Sequence, residues 1–273
     1  MKFRAAAVQF YPKLGDFEAN VSKMEALFLK ALGQNKDVRL IVMPELATTG
    51  YEAGAKFFEL AEDPETGPSV KRLAALCRKH KVHLAYGFAE RDRTRRDILY
   101  NSVCLLGDEG QTLGVYRKVH LFAGEKNWFR PGCSYPLFDT RLGKIGIFVC
   151  WDTAFPEPAR IYALNGADLL VVSTNYEKPY AEDWDLMTAA RAFDNTLHLV
   201  AANRFGRDKE YDFFGHSRIL DPLGRVIAKL DEEVEGVITG EIDTDRTIKL
   251  RQEYYTFMKD RRPDTYAALV QPY

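Results

Sequence analysis

The sequence predicts an α/β protein in which helices cover β-sheets. Short apolar or β-branched runs alternate with amphipathic helical segments along the chain, the pattern typical of layered α/β architectures. No internal repeat, low-complexity segment or Gly/Ser-rich linker interrupts this alternation. A chain of 273 residues is long enough to build its own hydrophobic core without covalent cross-links. We therefore expect one domain over residues 1–273.

The first half of the chain alternates strands and helices. Residues 5–10 are apolar and are followed by Pro12, which predicts a buried strand that ends in a turn. Asp16 is placed to cap a helix, because apolar residues recur at helical spacing after it. The next predicted elements are a strand at 38–43 closed by Pro44, a helix at 70–80, and strands at 82–88, 99–106 and 112–118.

The second half repeats the alternation. A strand of small and β-branched residues is predicted at 144–149 and a helix at 155–165, which ends at Gly166. The remaining predicted elements are a strand at 168–173, a helix at 184–195 and strands at 197–202, 217–220, 226–230 and 237–242. Pro- and Gly-rich pieces between these elements indicate turns.

Composition and charge exclude several classes of partner. The formal net charge is −1 and the basic residues are scattered among acidic ones, which argues against a nucleic-acid-binding surface. No run approaches the ~20 apolar residues that span a bilayer. The first ten residues lack the features of a signal peptide, so the sequence predicts a cytoplasmic location and no membrane partner.

The cysteines and glycines predict neither a metal nor an organic cofactor. Cys77, Cys104, Cys133 and Cys150 have no zinc-ribbon or disulfide-framework spacing. The Gly-rich loops that bind phosphates or dinucleotides are absent from the sequence. We therefore expect no cofactor and no metal, and a small molecule as the partner.

Cys150 stands where a predicted strand enters a turn. A nucleophile at this place projects from the carboxyl end of the strand, close to backbone N–H groups that can stabilise an oxyanion. A free cysteine is also often a small buried hydrophobic residue. A thiol with a pKa of about 8.5 needs a neighbouring base or cation to react. His120 and His216 are two candidates, and spacing alone does not exclude either.

Three segments in a fixed order carry a family resemblance. Met43-Pro-Glu45-Leu-Ala-Thr-Thr-Gly-Tyr51, Tyr116-Arg-Lys118-Val-His-Leu-Phe122 and Cys150-Trp-Asp152 each follow a predicted strand. In this order and at these separations they resemble the carbon–nitrogen hydrolase family, which includes nitrilases and amidases. The similarity covers nearly the whole chain, up to Arg261-Arg262-Pro263.

The resemblance implies roles for four residues. Glu45 would be the general base, Cys150 the nucleophile, and Lys118 the cation that stabilises the thiolate and the oxyanion together with the backbone N–H of Trp151. Glu125 would be a second glutamate that positions the substrate near the lysine. The stretch between Lys118 and Glu125 is shorter than in many family members.

The resemblance also implies an overall structure and an assembly. Similar proteins have a four-layer α-β-β-α sandwich of the nitrilase type and pair through a helix face. We therefore expect this fold, and a homodimer or larger homo-oligomer.

The substrate is expected to be a small amide, hydrolysed to ammonia through a thioester. Cys-x-Asp is commoner among the family's amidases and carbamoylases, whereas its nitrilases more often carry Cys-Trp-Glu. The alternatives are an N-carbamoyl amidohydrolase, a nitrilase and an inactive binding protein of the same fold. The first would need a cation for the substrate carboxylate, such as Arg204 or Lys178. The predicted substrate-binding residues are Tyr51, Trp128, Trp151, Phe155 and Asn175, with Trp184 as a further aromatic candidate.

Overall fold

Two six-stranded sheets form the centre of the molecule, for which the computed structural model describes residues 1–271. In the first sheet β1 pairs in parallel with β2, and β2 with β3, while β14, β4 and β5 join antiparallel. In spatial order these strands are β14 (Gly236–Asp243), β1 (Lys2–Gln9), β2 (Val38–Val42), β3 (His83–Arg91), β4 (Leu99–Leu106) and β5 (Thr112–Arg117).

The second sheet has a parallel centre with antiparallel edges. Its strands β7, β8 and β9 run parallel, and β6, β12 and β13 join antiparallel. In spatial order they are β13 (Val226–Leu230), β12 (Ser217–Leu220), β9 (His198–Asn203), β8 (Leu169–Thr174), β7 (Gly143–Val149) and β6 (Leu137–Thr140). A separate two-stranded ribbon consists of β10 (Phe205–Arg207) and β11 (Asp212–Phe214).

Six α-helices within residues 1–271 accompany the sheets. The first begins directly after Asp16, whose carboxylate accepts a hydrogen bond from the Ala19 N–H as the sequence predicts. None of the helices among residues 1–271 is both long enough and apolar enough to cross a membrane. They are α1 (Phe17–Gln34), α2 (Phe57–Leu60), α3 (Pro68–His80), α4 (Pro156–Leu164), α5 (Ala181–Asn195) and α6 (Thr244–Glu253).

Strand periodicity produces four layers. On β1, Ala5 and Ala7 belong to the core between the sheets, whereas Ala6 and Val8 pack under the outer helices. Helices α1 and α3 cover this outer face with buried apolar residues, and α4 and α5 cover the second sheet. Since side chains alternate along a strand, each sheet buries both faces. The predicted α-β-β-α sandwich is therefore confirmed.

Most predicted elements are present, with ends that differ by a few residues. The strands predicted at 99–106, 217–220 and 226–230 have the observed bounds. The predicted helix at 155–165 is shorter, because Pro156 occupies its first turn and fixes its start. The sequence analysis did not predict β6, the β10–β11 ribbon or α6. The strands β6, β10 and β11 have only three or four residues each, which is too few for a periodic pattern to be recognised.

Gly87 on β3 allows the chain after β2 to pass very close to it. A Cβ atom built at Gly87 would lie 2.5 Å from both Glu45 Cα and Leu46 N, and 2.6 Å from Pro44 O. All three are backbone atoms, so a larger residue could fit only if the turn that carries Glu45 moved. Gly87 therefore fixes the position of Glu45.

We expect Gly87→Ala to lower the free energy of unfolding by about 1–3 kcal/mol, the usual effect of overpacking a core. Urea denaturation of the purified protein measures this change. Gly33→Ala is the matched control, because a Cβ at Gly33 on α1 meets no atom within 4 Å. Alanine there should be neutral or stabilise the helix by up to about 1 kcal/mol. Equal stability of Gly87→Ala and wild type would contradict the close approach.

Candidate active site

The strand ends of the two sheets bring the predicted site residues together. Glu45 follows β2 and Lys118 follows β5 in the first sheet, whereas Cys150 follows β7 in the second. Lys118 Nζ lies 2.8 Å from Glu45 Oε1 and 2.6 Å from Glu125 Oε1. Lys118 and Glu45 are fully buried, and Glu125 is 5% exposed. We call Glu45, Lys118, Glu125 and Cys150 the buried cluster.

Both carboxylate oxygens of Glu45 are held by hydrogen bonds. Asn101 Nδ2 on β4 donates to Oε1 at 2.7 Å, in addition to the Lys118 ammonium. The backbone N–H of Asn175, which follows β8, donates to Oε2 at 2.9 Å. Asn101 was not among the residues predicted from the sequence. Its only signal was a polar residue inside an apolar strand, a position where a buried amide needs a partner.

Glu125 reaches Lys118 from a short 3₁₀ turn at Ala123–Asn127. Its Oε1 also accepts a hydrogen bond of 2.6 Å from the Tyr51 hydroxyl. The side chain is therefore oriented by one cation and one hydroxyl group. The structure thus places Glu125 beside Lys118, although only a short stretch separates the two residues.

Cys150 occupies a strained turn at the end of β7. Its φ is +45°, a left-handed value that costs a residue other than glycine about 1–3 kcal/mol and is frequent at active sites. Cys150 begins a 3₁₀ turn at Cys150–Ala154, and the first N–H groups of such a turn have no partner within it. The thiol lies 3.8 Å from the carbonyl oxygen of Asn175. Asn175 thus contacts Glu45 through its N–H and Cys150 through its carbonyl.

Burial and charge determine the protonation of the buried cluster. Burial raises the pKa of the Cys150 thiol well above its ordinary value, the charge of Glu45 raises it further, and the Lys118 ammonium opposes both. Burial lowers the pKa of Lys118, but the carboxylates of Glu125 and Glu45 outweigh it and hold the pKa well above its usual range. Lys118 is therefore a permanent cation, and the resting thiol is protonated at neutral pH.

A cavity of about 620 Å³ opens beside Cys150. Cys150 and Trp151 are among the residues that line it. The cavity is far larger than a two- or three-carbon acyl group needs. Among residues 1–271, no group of three or more His, Cys, Asp and Glu side chains could hold a metal ion.

Tyr51, Asn175 and Trp128 are not among the residues that line this cavity, so their predicted contact with the substrate stays a prediction. The Tyr51 hydroxyl donates a hydrogen bond to Glu125 and lies outside the cavity lining. Asn175 is 1% exposed and contacts the buried cluster through its backbone. Trp128 packs against Phe58 of α2, outside the cavity. Their positions depend on contacts between distant parts of the chain, which spacing does not show.

Three further candidates are also absent from the cavity lining. Phe155 stacks on the His120 ring at a centroid distance of 3.9 Å. Trp184 is fully buried, and its indole N–H donates to the His216 carbonyl. Arg204, a candidate cation for a substrate carboxylate, is buried and paired through two hydrogen bonds with Asp208.

Asp152 connects the turn of Cys150 to the strand that precedes Lys118. Its Oδ2 accepts hydrogen bonds from the Tyr116 hydroxyl at 2.7 Å and the Val149 N–H at 3.0 Å. Its Oδ1 accepts from the His120 N–H at 2.9 Å and lies 2.8 Å from His120 Nδ1. Asp152 is fully buried and holds the two sheets in register at the site. The sequence analysis did not assign this role.

The sequence left His120 and His216 as candidate partners of the Cys150 thiol. In the described part of the chain, neither forms a hydrogen bond with it. His120 turns towards Asp152, and the His216 ring packs edge-on against Phe214. Lys118, the predicted cation, forms a hydrogen bond with Glu45. The arrangement therefore favours a lysine-assisted site over a Cys–His pair.

The comparisons with known proteins agree with this geometry. The family model described as carbon-nitrogen hydrolase matches residues 4–252. A crystal structure of a carbon-nitrogen hydrolase from Helicobacter pylori superposes with a TM-score of 0.92, at 29% identity and over 99% of each chain.

Three curated relatives cover almost the full chain. A Schizosaccharomyces pombe protein named "probable nitrilase" is 50% identical over 100% of both chains. A Pyrococcus abyssi protein named nitrilase is 36% identical over 96% of this chain and 98% of its own. A Bacillus subtilis 2-oxoglutaramate amidase is 34% identical over 97% of this chain and 100% of its own.

We expect Asp152→Asn to destabilise the protein by about 1–3 kcal/mol, because one backbone N–H, of Val149 or of His120, loses its buried acceptor. Urea denaturation followed by intrinsic fluorescence measures the change. Asp139→Asn, at an exposed position on β6, is the matched control and should stay within about 0.5 kcal/mol of wild type. If both variants were equally stable, the link between the strands would be energetically unimportant.

Proposed function

The chain belongs to the carbon–nitrogen hydrolase family, and on that premise we propose that it is an amidase that releases ammonia from a small amide through a thioester on Cys150. One observation supports this most strongly. A buried lysine lies between two buried carboxylates, next to a buried thiol that opens on a cavity. Such a group of charges is expensive to bury and rarely serves stability alone.

The first half of the proposed reaction forms the thioester. Because burial keeps the Cys150 thiol protonated, attack on the amide carbon requires a base at that moment. Glu45 accepts the thiol proton as the sulfur bonds to the carbonyl carbon. The Lys118 ammonium and the Trp151 N–H stabilise the oxyanion of the tetrahedral intermediate. Glu45 then returns the proton to the nitrogen, the C–N bond breaks, and ammonia leaves.

The second half of the reaction regenerates the thiol. A water molecule attacks the thioester carbon while Glu45 takes one of its protons. The C–S bond breaks, a carboxylic acid is released, and the proton returns to the Cys150 sulfur. Glu125 keeps Lys118 in place throughout, because its carboxylate forms an ion pair with the ammonium at 2.6 Å.

A nitrilase is the second candidate, because two of the relatives carry that name. A nitrile would give a thioimidate on Cys150 and would need water before ammonia could leave. The Asp152 carboxylate is fully used by buried hydrogen bonds, so it does not select the substrate by contact. The preference for an amide therefore rests on the Cys150-Trp-Asp152 resemblance and on the amidase among the relatives.

We expect Cys150→Ala to abolish ammonia release from an amide, whereas Cys133→Ala keeps wild-type turnover. Cys133 is exposed and serves as the matched control. Mass spectrometry of wild type quenched during turnover should find the acyl group on the peptide that contains Cys150. An acyl group on Cys133, or turnover by Cys150→Ala, would contradict the assignment of the nucleophile.

We expect kcat/KM for propionamide to exceed that for propionitrile by at least ~10-fold, which is about 1.4 kcal/mol of transition-state preference. Ammonia release under identical conditions measures both, with an N-carbamoyl amino acid as a third substrate. Faster turnover of the nitrile would identify a nitrilase. Activity on the carbamoyl compound alone would identify a carbamoylase.

A further inference from the structure

The β10–β11 ribbon brings an aromatic ring to the cavity beside Cys150. Tyr211, which directly precedes β11, is one of the residues that line the cavity. Its ring packs edge-on against the Tyr51 ring at a centroid distance of 5.6 Å. Tyr51 belongs to the loop that follows Glu45, so the ribbon meets this loop next to the buried cluster. The position of the ribbon on the loop therefore decides where the Tyr211 ring lies.

A carboxylate on the loop holds the turn of the ribbon. Glu52 Oε2 accepts hydrogen bonds from the backbone N–H groups of Lys209 at 2.7 Å and Glu210 at 2.9 Å. It also accepts one from the Tyr211 N–H at 3.3 Å. Hydrogen bonds to a charged acceptor are stronger than those between neutral groups. All three donors are backbone N–H groups, so what the turn requires of Glu52 is an oxygen at this place.

Asp208 makes the reverse contact, from the ribbon to the loop. Its Oδ2 accepts hydrogen bonds from the Tyr51 N–H at 2.9 Å and the Glu52 N–H at 3.2 Å. The Asp208 side chain is fully buried and forms its ion pair with Arg204. Each segment thus supplies a carboxylate to backbone N–H groups of the other. We call Glu52 and Asp208 the reciprocal clamp.

The two carboxylates of the reciprocal clamp differ in what their removal would cost. Without Asp208, the buried guanidinium of Arg204 would lose its counter-ion, which is strongly destabilising. Glu52 is half-buried, and its partners are uncharged N–H groups in a turn whose residues are partly exposed. Glu52 is therefore the half of the clamp that can be removed while the fold persists.

Separate contacts fix the base of the ribbon. The Gly215 N–H donates to the Arg204 carbonyl at 2.9 Å, and the Lys178 N–H donates to the Asp212 carbonyl at 2.8 Å. These backbone hydrogen bonds do not involve Glu52. The loss of the Glu52 carboxylate should therefore release the turn and leave the two strands in place.

We propose that Glu52 is a positioning residue, which holds the turn of the ribbon so that the Tyr211 ring forms a fixed part of the cavity wall against which the substrate packs. This inference rests on the proposed function. An ordered ring contributes contact area to a bound acyl chain without first having to lose conformational freedom. Glu52 thus affects substrate binding through Tyr211, without contact with the reacting atoms.

The kinetics of ammonia release from pentanamide test this role. Glu52→Ala should raise KM at least ~5-fold and keep kcat within about 2-fold of wild type, because the wall contacts substrate and transition state alike. A variant that merely lost folded enzyme would instead show a lower kcat at an unchanged KM. The ratio of the two effects therefore separates positioning from a structural role.

Two further variants control for charge and for the turn itself. Glu52→Gln should recover the wild-type KM within about 2-fold, because its amide oxygen accepts hydrogen bonds from the same N–H groups. Glu210→Ala is the matched control, since Glu210 is exposed in the same turn and its contact with Glu52 is through its backbone. It should keep the wild-type KM. A raised KM in Glu210→Ala equal to that of Glu52→Ala would contradict the proposal.

A double-mutant cycle tests whether Glu52 acts through Tyr211. Tyr211→Ala alone should raise KM for pentanamide, and adding Glu52→Ala should raise it by no more than about 2-fold further, because the ring to be positioned is gone. If the two effects on KM multiply, Glu52 acts independently of Tyr211 and the proposal is overturned.

The outcomes separate this inference from the proposed function. If wild type hydrolyses pentanamide and Glu52→Ala keeps its KM, the positioning role is overturned and the amidase assignment stands. If wild type hydrolyses neither pentanamide nor propionamide, the amidase assignment fails, and the rate at which iodoacetamide alkylates Cys150 decides the positioning role. Mass spectrometry should then show alkylation at least ~3-fold faster in Glu52→Ala than in wild type and Glu52→Gln, because a displaced ring leaves the buried thiol more accessible. Equal rates would overturn it.

Discussion

The buried ammonium of Lys118 is the constraint on which the site depends. An isolated charge in a protein interior is too costly to persist, so the fold must supply partners in the same place. Glu45 and Glu125 provide two carboxylates within 2.8 Å, and Asn101 and Tyr51 satisfy further lone pairs of those carboxylates. Removing any one partner would leave a buried charge or acceptor unpaired, which links the chemistry of the site to the stability of the fold.

Both sheets are needed to assemble these partners. Glu45 and Lys118 come from strand ends of the first sheet, and Cys150 and Asn175 from those of the second. The backbone of Asn175 contacts Glu45 and Cys150 at once, and Asp152 binds residues on both sides. The packing of the two sheets therefore brings the proposed base, Glu45, close to the proposed nucleophile, Cys150. The close approach at Gly87 then limits how far the turn that carries Glu45 can move.

Burial raises the pKa of the Cys150 thiol and lowers the pKa of the Lys118 ammonium. It keeps the Cys150 thiol protonated, while the surrounding carboxylates keep Lys118 charged. A site of this kind does not hold a reactive thiolate at rest. In the proposed mechanism the thiol loses its proton only when a substrate carbonyl arrives, which protects the sulfur from side reactions.

The sequence by itself determined the layered fold and the identities of the buried cluster. Alternating strand and helix patterns depend on local periodicity, whereas Glu45, Lys118, Glu125 and Cys150 were identified through the resemblance of their motifs to the carbon–nitrogen hydrolase family. The short strands and α6 escaped prediction because they carry too few residues or too weak a pattern.

Only the tertiary structure decided which side chains face the cavity. Tyr51, Trp128 and Phe155 are aromatic and close to the motifs in sequence, yet they pack elsewhere, and Glu177 takes a place in the lining that spacing did not indicate. The pairing of Lys178 with Glu233 likewise involves a cation that the sequence left available. The physical reason is that charge pairing and side-chain direction are set by contacts between segments far apart in the chain, which local pattern does not encode.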